Sequence, residues 1–320
     1  MLVAATASAQ PLVIAHRGSS GYVPEHTREA KVMAHAQGAD YIEQDVVLSK
    51  DDVPVVLHDI HLDTTSDVAT RFPKRKRADG RYYALDFTLA ELRQLSFHER
   101  VDLKKGRAAF PKRFPVTTGG FRIVTFDEEL ELIAGLNKST RRVAGIYPEI
   151  KRPEWHRNEG HDISPIVLRV LAKHGYTSKE HACYLQCFEY DEVKRLRREL
   201  GWKGRLIMLM GGGKTGFGGS NFEFMRTDAG LAELAEIVDG IGPPISGVIF
   251  PAKMQSGLAA RAHAHGLEVH PYTLRVDELP KGVASSIDLM RLLFDEAKVD
   301  ALFTDFPDVV LHWLKERSGK

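Results

Sequence analysis

The 320-residue chain is 43% hydrophobic and 27% charged, the profile of a globular protein that buries a large core without disulfides or structural metals. Its formal net charge of +1 excludes a strong global field directed at nucleic acid or an acidic membrane surface. No run of about 18 apolar residues occurs, so no transmembrane helix is expected.

The chain opens on small apolar residues, Leu2–Ala9, in which Ala7-Ser8-Ala9 fits a signal-peptidase site. No basic stretch precedes them, so the segment reads as the tail of a secretory signal, the plainer alternative being a frayed apolar terminus. Residues 1–10 are therefore set apart from a single domain, 11–320. A periplasmic or secreted location is expected, with the cytoplasm as the alternative. Cys183 and Cys187 lie four apart in a strand-like run. Four strand steps span roughly 13 Å, too far for a disulfide, so both are expected to be buried and unpaired.

In chain order, short apolar runs alternate with longer amphipathic ones, the mark of βα units around a parallel sheet. Strands are expected at 12–16, 41–48, 145–150, 182–187, 205–210, 238–241, 267–272 and 301–304. Helices are expected at 27–37, 127–136, 165–174, 191–200, 231–237, 256–265, 287–297 and 306–316. Thr125 and Glu128 form a capping box ahead of the second of these. Eight units fit an α/β fold of the TIM-type (β/α)8 class. The stretch between His58 and Gly145 is too long for one βα connection, so about 60–118 should form an inserted subdomain after the second strand. Within it, Arg71–Arg77 looks like a nuclear localisation patch, or more plainly a solvated loop. Gly211–Ser220 lacks the phosphate-loop spacing and reads as a mobile loop without an assigned role.

The unusual polar residues cluster at strand ends, where barrel chemistry sits. The first strand runs into His16-Arg17-Gly18. Arg17 offers a planar fork for phosphate and His16 a group that titrates near neutrality. Glu43 and Asp45 are two apart and face one side of the second strand. Paired carboxylates repel unless a cation or proton joins them. His58 ends the run Val55-Val56-Leu57. Glu149 adds a third carboxylate, with Lys151 on the same side. Three carboxylates without cysteine favour one hard divalent cation, Ca²⁺ or Mg²⁺ rather than Zn²⁺. Arg17, Lys151 and that cation would surround a phosphodiester, and His16 and His58 would supply a base and an acid. Glu25, His26, Gln186, Phe188, His270 and Tyr272 are candidates for the substrate pocket. Eight further histidines (His35, His61, His98, His156, His174, His181, His263, His265) read as structural.

The segments His16-Arg17-Gly18, Pro24-Glu25-His26-Thr27, Glu43-Gln44-Asp45 and Val56-Leu57-His58-Asp59 together resemble the glycerophosphodiester phosphodiesterases. The likeness continues through Asp79–Tyr83, Ile146–Lys151, Tyr184–Phe188, Val269–Thr273 and Leu302–Pro307, covering nearly everything after residue 10. It is strongest to the bacterial periplasmic branch. The resemblance implies a TIM barrel that hydrolyses glycerophosphodiesters to glycerol 3-phosphate and an alcohol. It implies His16 and His58 as the acid–base pair, and Glu43, Asp45 and Glu149 as ligands of Ca²⁺ or Mg²⁺. It further implies Arg17 as the phosphate holder with Lys151 beside it. Met210–Met225 departs from the pattern, which puts the preferred alcohol in doubt.

Two other readings compete. A lysophospholipase-D-like enzyme would turn over a lipid-bearing diester faster than glycerophosphocholine, yet no amphipathic or aromatic stretch suited to a bilayer is seen. A non-enzymatic surface binder would carry a lipid-anchor cysteine near the N-terminus, and none precedes Cys183.

Overall fold

The computed structural model describes residues 10–250 and 254–319. The signal-like segment 1–9 lies outside them. Eight apolar runs become parallel strands: Leu12–Ala15 (β1), Tyr41–Leu48 (β2), Gly145–Ile150 (β4), Tyr184–Cys187 (β5), Arg205–Leu209 (β6), Gly240–Gly242 (β7), Glu268–Val269 (β8) and Ala301–Thr304 (β9). Their order in the sheet is β8-β7-β6-β5-β4-β2-β1-β9. Pro54–Val56 (β3) folds back antiparallel onto the end of β2, with Val46 opposite Val56. The ring closes between its outer strands through backbone bonds from Asp300 N to Val269 O (3.1 Å) and Phe303 N to Pro271 O (3.0 Å). The expected (β/α)8 barrel is therefore observed.

Helices Arg28–Gln37 (α1), Phe126–Thr140 (α2), Pro153–Asn158 (α3), Ile163–Lys173 (α4), Tyr190–Arg198 (α5), Asp228–Ala235 (α6), Leu258–Ala264 (α7), Ser286–Met290 (α8) and Pro307–Ser318 (α9) flank the strands. Local chemistry sets their ends. Thr27 caps α1 by accepting from Ala30 N, and the Thr125–Glu128 capping box opens α2. The main core lies between strands and helices, built from residues such as Ile42, Phe126, Leu185 and Met208. A smaller cluster inside the barrel stacks Ile14, Tyr147, Tyr184, Ile207 and Phe303 below the strand ends. Cys183 and Cys187 are buried and free, as their spacing requires. Among the described residues no helix is long and apolar enough to cross a membrane.

The excursion after β3 has its own apolar centre of Leu62, Val68, Phe87, Leu92 and Leu95, joined to Val47 and Val55 of the barrel. It contains only short helical turns and a two-residue hairpin. The basic stretch within it is not simply a solvated loop. Arg75 pairs with Glu91 and lies over Phe87; Arg77 pairs with Asp86 and Glu159 and lies over Tyr83. Arg75 thus ties the insertion together, and Arg77, through Glu159, joins it to the barrel. The Gly211–Ser220 loop is likewise held, through Gly216 N to Ser220 O (2.8 Å) and Asp191 N to Gly218 O (2.9 Å).

Glu99, in the insertion, is 2% exposed and its Oε2 has no hydrogen-bond partner. Burial, then the nearby Glu25 carboxylate, pushes its carboxyl up to about 7. A raised acid stabilises the fold while protonated, and that contribution fades as pH rises through about 7. Ionising it costs on the order of 3 kcal/mol. Glu99→Gln should therefore raise the melting temperature at pH 8 and do little at pH 5. Equal gains at both values in thermal denaturation would contradict this.

Candidate active site

Parallel register brings the three carboxylates together. On β2, Glu43 and Asp45 share the inward face, and Asp45 stands level with Glu149 of β4. Ligand oxygens of all three lie within 4.8 Å of one another, and all three residues are buried. The Arg17 backbone N–H donates to Glu43 Oε2 (2.7 Å), and Gln186 Nε2 donates to Oε1 (3.2 Å). Lys151 Nζ pairs with Glu149 Oε1 (2.8 Å) and approaches Asp45 Oδ1 (3.5 Å). That Asp45 oxygen is buried without a hydrogen-bond partner. Burial followed by repulsion from Asp45 raises the Glu43 carboxyl well above its usual range. Burial also lifts Glu149 to about 8; Lys151 works against the rise and Asp45 adds to it. Asp45 goes the other way, since Lys151, His58 and His26 outweigh its burial. An unbonded buried oxygen among mutually repelling carboxylates fits a cation, and an all-oxygen donor set fits a hard one.

Two histidines flank this cluster, and both are anchored the same way. His16 Nδ1 donates to Asp305 Oδ1 (2.6 Å), and His58 Nδ1 donates to Asp59 Oδ1 (2.7 Å). This leaves each Nε2 as the basic nitrogen. His16 Nε2 lies 3.9 Å from Glu43 Oε2. Burial and then Arg17 lower His16 to about 4, and the same causes with Lys151 lower His58 to about 4. Each anchoring aspartate is gripped by arginine. Asp305 Oδ2 accepts from Arg113 (2.8 Å) and Arg275 (2.8 Å); Asp59 Oδ2 accepts from Arg100 (2.6 Å). Arg100 and Arg113 both come from the insertion.

The strand-end geometry explains the local sequence. After β1 the chain reverses through Arg17 (φ 58) and Gly18 (φ 87), which carries the Arg17 N–H to Glu43. A Cβ on Gly18 would sit 2.8 Å from the Ala30 backbone, so only glycine fits. A cavity of about 440 Å³ opens over the cluster, bordered by His16, Arg17, His58, Lys151, Gln186, Phe188, Tyr272 and Arg275 among others.

A sequence model described as the glycerophosphoryl diester phosphodiesterase family matches residues 16–309. The chain belongs to this family. A glycerophosphodiester phosphodiesterase from Haemophilus influenzae is 40% identical, over 95% of this chain and 90% of that protein. One from Treponema pallidum is 37% identical, over 98% and 94%. With these relatives, the chain is a phosphoric diester hydrolase. Solved structures share the fold: a Silicibacter pomeroyi protein at TM-score 0.73, 22% identity and 98% and 95% coverage. An Oleispira antarctica phosphodiesterase, solved with sn-glycerol-3-phosphate, has TM-score 0.64 and 22% identity over 96% of this chain and 97% of that one.

Not every residue expected at the family's site reaches the cavity. His16, Arg17, Glu43, Asp45, His58, Glu149, Lys151, Gln186, Phe188 and Tyr272 all line it. His26 stands behind it: Lys31 donates to its Nδ1 (3.3 Å) and its Nε2 donates to Asp45 Oδ2 (2.7 Å), so it orients a carboxylate. Glu25 is also behind, bridging Arg17 (2.9 Å) and Arg100 (2.6 Å). His270 is not at the site. It is fully buried in the barrel, bonded to the Tyr147 hydroxyl (2.8 Å), because its strand position is one layer below Tyr272. Asp305, Asp59, Arg100, Arg113 and Arg275 were not among the expected site residues. The two aspartates directly follow strand ends or a site histidine, a signal that could have found them; the arginines carry none.

Proposed function

We propose that the chain hydrolyses glycerophosphodiesters to glycerol 3-phosphate and an alcohol, with His16 and His58 as the acid–base pair and one divalent cation on Glu43, Asp45 and Glu149. The observation that carries the reading is the carboxylate cluster flanked by two histidines, each held through Nδ1 by an aspartate. The sn-glycerol-3-phosphate bound by the Oleispira antarctica protein supports the same substrate class. Ca²⁺ is the expected ion and Mg²⁺ the alternative; the all-oxygen donor set suits either hard cation. Bound there, it would act as a Lewis acid and offset charge on the phosphoryl oxygens.

The chain's own groups do the rest. Arg17 and Lys151 face the cavity and neutralise the diester anion. A histidine held neutral by burial accepts a proton from the nucleophile at Nε2. An anionic diester beside the second favours its protonated form, from which Nε2 protonates the leaving alkoxide. Either nucleophile, water or the adjacent glycerol hydroxyl, uses the same pair; a cyclic phosphate in quenched reactions would identify the second. The test treats the protein with EDTA, supplies glycerophosphocholine with Ca²⁺, Mg²⁺ or no cation, and follows glycerol 3-phosphate. Cation-dependent release is expected. No release with any cation would overturn the reading, and faster turnover of a lysophospholipid would replace the substrate.

We also propose export, on the Ala7-Ser8-Ala9 pattern. Cell fractionation that finds the protein only in the cytoplasm would reject it.

A further inference from the structure

The two site histidines differ in what holds them. His16 ends a barrel strand, and its backbone N–H donates to Thr304 O of the neighbouring strand (2.9 Å). His58 lies beyond β3, an antiparallel appendage to β2, one residue past the bond from Leu57 N to Asp45 O (2.9 Å). Its side chain is 30% exposed against 10% for His16. The direction of its ring therefore rests on Asp59. One oxygen of Asp59 accepts from His58 Nδ1 (2.7 Å); the other accepts from Arg100 Nη1 (2.6 Å) and from the Thr64 hydroxyl (3.0 Å). Asp305, the counterpart at His16, is held by two arginines, Arg113 and Arg275; among the described residues Asp59 is held by one. Arg100 is itself fixed. Its Nε and Nη2 form a fork on the two oxygens of Glu25 (2.9 and 2.6 Å). It stands at the root of the hairpin Val101–Asp102 and Arg107–Ala108, where Ala109 N donates to its carbonyl (2.9 Å) and Val101 N donates to Thr64 O (2.9 Å).

We propose that Arg100 is a positioning residue of the reaction: through Asp59 it aims the His58 ring, and the insertion thereby supports the half of the site that the barrel does not. The inference rests on the diesterase reading above, in which His58 carries one proton transfer. A planar guanidinium grips Glu25 with one edge and reaches Asp59 with its remaining nitrogen, which locks the aspartate against the segment that carries Glu25. A lysine brings the same charge on a single nitrogen and cannot form the fork and the reach together. Asp59 would then turn with its loop, and His58 with it. A displacement of about 1 Å at a reacting group can cost on the order of 10²-fold in rate. Arg17 keeps its own bond to Glu25 (2.9 Å) when Arg100 is changed, so the hold on the phosphate should survive.

The test measures hydrolysis of glycerophosphocholine with Ca²⁺ or Mg²⁺. Arg100→Lys should lower kcat by about tenfold or more and change KM little. That loss should vanish in the His58→Ala background, where no ring is left to aim, and persist in the His16→Ala background. Thr64→Val, which removes the other donor to Asp59 with little change of shape, should give a smaller loss with the same pattern, and it reads the same coupling should Arg100→Lys fold poorly. Arg113→Lys should cost less than Arg100→Lys, since Arg275 still holds Asp305 (2.8 Å). A loss of equal size in both histidine backgrounds, or a rise in KM with kcat unchanged, would overturn positioning through His58. So would the wild-type rate in both Arg100→Lys and Thr64→Val. No glycerol 3-phosphate from the wild type with any divalent cation would instead fail the diesterase reading, and this inference with it.

Discussion

His16→Ala and His58→Ala should each lower kcat by about 10²-fold or more while the protein stays folded. Each ring is poised by a single aspartate, so removing the imidazole removes one proton transfer and leaves the cluster of carboxylates in place. Neither side chain belongs to an apolar core. His16 meets Phe303 only edge-on, with ring centroids 6.3 Å apart, and the His58 side chain is 30% exposed. The losses should appear in kcat more than in KM, because Arg17 and Lys151 still hold the phosphate. A double variant should lose less than the product of the two, since the residues act on one transition state. Steady-state kinetics with circular dichroism checks this. Either single variant at the wild-type rate would remove that histidine from the chemistry.

Adding Ca²⁺ or Mg²⁺ at about a hundred times Kd should stabilise the EDTA-treated protein by roughly 3 kcal/mol, several degrees in Tm for a chain of this size. Asp45→Asn and Glu149→Gln should abolish that rise. Glu149→Gln should do so without destabilising the cation-free protein by much, because burial already lifts that carboxyl to about 8, whereas Asp45→Asn should also destabilise it, because Lys151, His58 and His26 stabilise the Asp45 carboxylate. Glu43→Gln should even stabilise the cation-free form, since burial and Asp45 hold the Glu43 carboxyl well above its usual range. Differential scanning fluorimetry across a cation titration reads all three. A cation-dependent rise retained in every variant would place the ion elsewhere.

Much of this site was legible because strand periodicity is local. Residues two apart share a face, so Glu43 with Asp45 and Glu149 with Lys151 follow from β2 and β4 alone, and the parallel register supplies the rest. Depth was not legible. His270 and Tyr272 also share a parity, yet Tyr272 borders the cavity while His270 sits below it against Tyr147. Periodicity assigns a side but not a layer. The arginines were hidden for a different reason. Arg100 meets Glu25 across 75 positions and Arg113 meets Asp305 across 192, and nothing near either in sequence marks such a meeting. The insertion could be seen as an excess of chain after β3. That it supplies a cation to each His–Asp pair is visible only once it is folded onto the barrel. The glycine-rich loop looked mobile from composition, but glycine here serves close packing against Glu189.

The central claim is that His16 and His58 divide two proton transfers, and a change of leaving group tests it most directly. p-Nitrophenolate departs without a proton, so the variant that lacks the acid should regain most of its lost rate on the p-nitrophenyl diester of glycerol 3-phosphate. The variant that lacks the base should stay slow. One recovery and one failure, measured as kcat for His16→Ala and His58→Ala on the alkyl and p-nitrophenyl diesters, is the predicted result. Recovery of both, or of neither, would contradict the division of roles.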